Sequence, residues 1–133
     1  MGAKPAVVVC LLPVLLAACG TGSRERDAAA VAERFHAALE AGDGQAACDE
    51  LSEETAAKLE QQEKKPCEAA ILGLELPNGG TVAVTRVSIR SAYAGLAAGG
   101  ADFLDEGPDG WKVSAAGCEQ TAAERPYECE LEG

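Results

Sequence analysis

Apolar positions along this chain change their period twice, and each change marks a different kind of structure. Ala6 to Leu16 is a nearly unbroken apolar run of eleven residues. From Ala28 the spacing turns helical: Ala28, Val31, Ala32, Phe35, Ala38 and Leu39 fall on one face, with Glu33, Arg34 and Glu40 elsewhere on the wheel. Asp27 is the expected N-cap and Gly42 the stop, so this helix is predicted to reach about Ala41. Asp43 then caps a short second helix carrying Cys48 and Leu51. Ser52, with Glu53 and Glu54 behind it, opens a third that extends to Gln61 or Gln62. Lys64-Lys65-Pro66 interrupts, with Pro66 expected as first residue of a fourth helix. In it Cys67, Ala70, Ile71 and Leu74 follow at i, i+3, i+4 and i+7.

After Pro77-Asn78-Gly79-Gly80 the period shortens towards two. Thr81–Arg90 is rich in β-branched residues, with Val82 and Val84 expected on one face and Val87 and Ile89 on the other. That switch implies a bulge or a strand covered on both sides. Further strands are predicted at Ala92–Ala97, Ala101–Asp105 and Trp111–Ala116, separated by Gly99-Gly100 and by Gly107-Pro108-Asp109-Gly110. Trp111, Val113 and Ala115 alternate with Lys112, Ser114 and Ala116, the mark of one buried face. The tail from Cys118 to Gly133 reads as polar and irregular. Helices first and a meander afterwards predict an α+β fold, with N-terminal helices packed on a curved antiparallel sheet of about four strands.

The first apolar run is too short to span a bilayer, which takes roughly 20 apolar residues. It has the length of a signal-peptide core, and Lys4 precedes it. Leu16-Ala17-Ala18-Cys19 closes it and resembles the lipobox of bacterial lipoproteins. That resemblance implies removal of residues 1–18, a diacylglyceryl group on Cys19, a short lipidated tether over 19–26 and a folded domain over 27–133. It also implies a location on the outer face of the cell membrane.

Charge narrows the partners. The chain has 22 Asp and Glu against 11 Lys and Arg, a net charge of −11. Loss of residues 1–18 would remove Lys4 and no acid, making the remainder one unit more negative. Nucleic-acid binding depends on cations that neutralise phosphates and is excluded as an expectation. A polybasic docking surface is excluded in the same way, so membrane attachment is expected through the lipid.

Six cysteines are present. Cys10 lies in the signal segment and Cys19 is the lipidation candidate, which leaves Cys48, Cys67, Cys118 and Cys129. Four cysteines in an exported domain read as two disulfides, and three pairings are open. The local pairs, Cys48–Cys67 and Cys118–Cys129, are preferred because each lies within one structural block. No C-x-x-C and no nearby histidine supports zinc.

The whole pattern resembles the cystatin-like, NTF2-like fold, and more narrowly small lipoproteins of actinobacteria. The matching pieces are LAAC (16–19), AGDGQAAC (41–48), KKPC (64–67), FLDEGPDGWKVSAAGC (103–118) and RPYECELEG (125–133). The resemblance implies the fold and the membrane anchor, and it brings no catalytic, cofactor or metal residue with it. The expected function is therefore a non-enzymatic envelope component that binds a small ligand or an envelope protein.

The alternative is a small hydrolase or isomerase using His36, the one histidine, with a carboxylate such as Asp102. His36 lies about 100° round the helix from Phe35, at the flank of the apolar stripe, and is expected to be partly exposed. Asp102, Asp105, Glu106 and Asp109 cluster near a turn without the D-x-D-x-D-G pattern of a calcium loop. Glu50, Glu53, Glu54, Glu60 and Glu63 read as a solvated face, with a basic partner as the functional alternative. Tyr93, Tyr127 and Trp111 are expected to pack and hydrogen-bond. Serine-nucleophile, P-loop and dinucleotide signatures do not occur.

Overall fold

A computed structural model describes residues 2–3, 20–77 and 80–133. The signal segment and Cys19 lie outside the described residues, as do Asn78 and Gly79. Among the described residues, four helices precede five strands: α1 (Thr21–Glu40), α2 (Gly44–Asp49), α3 (Glu53–Glu63), α4 (Cys67–Gly73), β1 (Val82–Ser88), β2 (Ser91–Leu96), β3 (Ala101–Gly107), β4 (Gly110–Glu119) and β5 (Glu128–Glu132). The strands form one antiparallel sheet in chain order, a meander with α1 across one face. The α+β architecture is as expected, with five strands in place of about four.

The caps explain where the short helices begin. Asp43 accepts the amide of Ala46 at 3.0 Å, and Ser52 accepts that of Thr55 at 3.1 Å. Gly42 takes φ +67° to end α1, and Lys64 takes φ +54° to end α3. Pro66 is the residue before α4, not its first. The amide of Cys67 is instead satisfied by Glu60 Oε1 at 2.9 Å, so this member of the acidic run closes a helix end. Helix α1 starts earlier than the Asp27 cap implied. Thr21–Arg26, expected as a tether, already form its first turns, and no side chain caps Gly20.

Small side chains let α1 lie close to the sheet. Ala28, Ala32 and Ala38 of the helix are buried in one core with Ala92 and Ala94 of β2 and Ala116 of β4, together with the larger Phe35, Leu104 and Val113. The segment between α2 and α3 joins the sheet edge through a short parallel bridge. There Ser52 N donates to Val113 O at 2.9 Å and Val113 N to Glu50 O at 2.8 Å. Gly44 permits another close approach: a Cβ there would sit 2.1 Å from the Glu68 carbonyl oxygen of α4.

Bulges account for the faces that alternation misassigned. The β1–β2 register shifts between Val82 and Val84, so Val82 packs inward with Val87 while Val84 is exposed. Ile89 belongs to the β1–β2 turn, not to a buried strand face. On β4 the alternation of Trp111 and Val113 holds until two register shifts against β3; beyond them Ala116 is buried and Ala115 only half-buried. Gly117 sits there at φ +63°. The tail expected to be irregular contains β5, which pairs with β4 from Glu119↔Glu128 to Ala115↔Glu132 and buries Leu131. Its sequence, Glu-Cys-Glu-Leu-Glu, has too few apolar residues to announce a strand. An edge strand needs one apolar face only, and here two residues supply it.

Both local disulfides are present. Cys48–Cys67 ties α2 to α4, and Cys118–Cys129 joins β4 to β5 directly across the ladder. The bonded cysteines are 19 and 11 residues apart, so each bond closes a short loop.

Candidate functional site

The most unusual arrangement of polar groups lies inside the domain. His36, on the face of α1 that meets the sheet, places Nε2 2.6 Å from Oδ2 of Asp102 on β3. Both side chains are wholly buried. Their other polar atoms, His36 Nδ1 and Asp102 Oδ1, have no hydrogen-bond partner. The Phe35 ring meets the imidazole edge-on at 5.4 Å between centroids. His36 was expected to be partly exposed at the flank of the stripe. The buried stripe is wider than that, and both Phe35 and His36 are fully covered. Asp102 pairs in register with Ala94 of β2.

The sequence named both residues of this pair and the chemistry they would share, and the fold brings them together. It does not bring them to a surface where a substrate could touch them. A buried polar pair with two unpartnered atoms is a costly feature, because each group gives up its water for a single hydrogen bond.

The acidic turn cluster is divided by the same geometry. Asp102 is in the core, whereas Asp105, Glu106 and Asp109 lie at the surface on the β3–β4 hairpin. Asp105 accepts from Ser91 Oγ at 2.8 Å, and Glu106 pairs with Arg24. Among the described residues, no three His, Cys, Asp or Glu side chains gather as a metal site would require.

Two open grooves flank that hairpin. One, about 500 Å³, runs between it and the α2–α3 segment, lined by Leu51, Ala56, Pro108 and Lys112 among others. The second, about 560 Å³, lies against α1 and includes Arg34, Glu50 and Trp111. Neither reaches His36 or Asp102. Glu50 is held by Arg34 through two bonds of 2.7 and 3.1 Å, which raise the Arg34 pKa further above its ordinary value. Trp111 is buried, as expected, and the Arg24 guanidinium covers its ring at 5.3 Å. Glu53, Glu54 and Glu63 remain exposed, as a solvated face requires.

The opposite face of the sheet carries an aromatic cluster. Tyr93, Phe103 and Tyr127 meet at centroid distances of 5.3 to 6.0 Å, and Arg86 lies over Tyr93 at 5.9 Å. Hydrogen bonding to Tyr127 is the main cause of a raised Tyr93 pKa, with partial burial adding to it. The sequence marked the tyrosines as packing residues but gave no sign that Phe103 would join them. Register decides that, since Tyr93 and Phe103 are direct cross-strand partners.

No known protein family matches the chain, and no curated protein or solved structure shows significant similarity to it. Among the described residues no helix is long and apolar enough to cross a membrane. The class defined here is an α+β domain with a filled interior, stapled by two disulfides.

Proposed function

We propose that this protein is a lipid-anchored component of the bacterial cell envelope, held by Cys19 on the outer face of the cell membrane and acting by binding. The observation that carries this reading is the run from Ala6 to Leu16 closing in Leu16-Ala17-Ala18-Cys19. Two disulfides support it, since such bonds persist in oxidising compartments outside the cytoplasm. The domain is read as NTF2-like or cystatin-like on the strength of its long helix lying across an antiparallel meander. Between α1 and the sheet the space is filled by Phe35, His36, Leu104 and Val113. Binding is therefore assigned to the surface, and a protein partner is favoured over a small ligand enclosed beneath the helix.

A second reading, a hydrolase or isomerase using His36 and Asp102, draws on their 2.6 Å approach. We rank it below binding because both groups lack access from solvent.

The decisive experiment is intact mass spectrometry of protein extracted in detergent from bacterial membranes, with and without reduction before alkylation. The expected mass is that of residues 19–133 with a diacylglyceryl group and two disulfides. An unlipidated mass from the membrane fraction, or four alkylated thiols without reduction, would refute the proposal.

A further inference from the structure

Ile89 is the most exposed large apolar side chain among the described residues, at 84 %. It stands at the tip of the β1–β2 hairpin with φ +55°. A β-branched residue is poorly suited to the left-handed region, where hairpin turns ordinarily take Gly or Asn. Nothing in the fold is gained by an isoleucine here, because its side chain buries almost no surface.

The tip is fastened beside the start of α1. Arg24 donates to the Ile89 carbonyl and pairs with Glu106, while Arg90 donates to the Glu106 carbonyl at 3.0 and 2.7 Å. Helix α1 begins two residues after Cys19. A lipid on Cys19 would therefore hold the start of α1 near the bilayer. The hairpin tip, fastened to Arg24 of that first turn, lies beside the end of the domain that such a lipid would anchor.

We propose that Ile89, flanked by Arg24 and Arg90, is a second contact with the membrane, its side chain entering the interfacial layer beside the Cys19 lipid. The inference rests on the lipoprotein reading above. Arginines suit this position because their apolar stems can lie at the interface while their charges meet phosphates. Arg24 answers the charge of Glu106, and Arg90 makes its hydrogen bonds to a backbone carbonyl. Arg26, Glu25 and Asp27 lie nearby on α1, and Asp105 and Asp109 on the neighbouring hairpin. The four acids among them keep the insertion shallow, limited to the tip.

The test uses the full lipidated chain in phosphatidylglycerol–phosphatidylethanolamine vesicles, with and without bromine on the acyl chains. Ile89→Trp is compared with Ala122→Trp, placed on the exposed loop between β4 and β5, and with the parent, whose buried Trp111 supplies the background. Ile89→Trp should add blue-shifted emission that brominated lipid quenches, whereas emission added at position 122 should stay unquenched. Ile89→Gly should fold normally yet lose the slowing of amide exchange that vesicles impose on residues 88–91 of the parent. Unquenched emission at position 89, in protein shown by mass to carry the lipid and to float with vesicles, would overturn this inference and leave the lipoprotein reading standing. A shift that grows with protein concentration and resists quenching would indicate contact between copies, and would overturn it too. An unmodified Cys19 would overturn both.

Discussion

Removing one partner of the His36–Asp102 pair should cost far more than removing both. Asp102→Val leaves the imidazole of His36 buried with neither nitrogen hydrogen-bonded, since Nδ1 already lacks a partner. His36→Leu leaves the carboxyl group equally isolated, because Oδ1 is also unpartnered. Breaking a buried pair in this way costs about 3–5 kcal/mol, whereas replacing the pair with well-packed apolar groups is often neutral or stabilising by about 1–4 kcal/mol. Each single variant should therefore lower Tm by more than 10 °C, at roughly 4 °C per kcal/mol for a domain of this size. The double variant should return to within about 2 kcal/mol of the parent. Urea unfolding with both disulfides intact, followed by the fluorescence of buried Trp111, measures all four corners of the cycle. Equal slopes across the four would show that the same surface is exposed in each. Single variants that cost under about 1 kcal/mol, or a double variant equal to the sum of the singles, would refute the reasoning, because removing one member would then not strand the other.

Three further outcomes are expected. Ile89→Gly should stabilise the isolated domain by about 1 kcal/mol, since glycine removes the left-handed penalty and the exposed side chain contributes little packing; a loss of stability in the same urea assay would contradict this. Gly44→Ala should destabilise by about 1–3 kcal/mol, because its Cβ would collide with the backbone of α4 next to Cys67, and an unchanged unfolding midpoint would show that α4 yields freely. Tyr93 should ionise above an ordinary tyrosine, and Tyr127→Phe should bring it down, as read by phenolate absorbance. Because folding raises this pKa, the associated stability is complete below the unfolded value near 10 and is lost as pH rises through the folded one.

Elements governed by local chemistry were readable from the residues alone. Asp43 and Ser52 cap their helices because a side-chain oxygen two or three residues from an unpaired amide needs no distant partner. The stripe Ala28–Leu39 defines the face of α1 that the sheet covers, and the spacing of Cys48 with Cys67 and Cys118 with Cys129 matches the bonds formed. The tertiary structure decided whatever depends on register and curvature. Bulges sent Val82 inward and Ala115 outward, since one extra residue reverses the facing of every side chain beyond it. Strand β5 exists because Cys129 and Leu131 pair beside β4, a stabilisation that five residues carry no sign of by themselves. Above all, His36 and Asp102 lie 66 residues apart, and only the docking of α1 on the sheet converts a helix-flank histidine and a turn aspartate into one buried pair. Burial is a property of what packs against a residue, and for this pair both sides of the contact come from elsewhere in the chain.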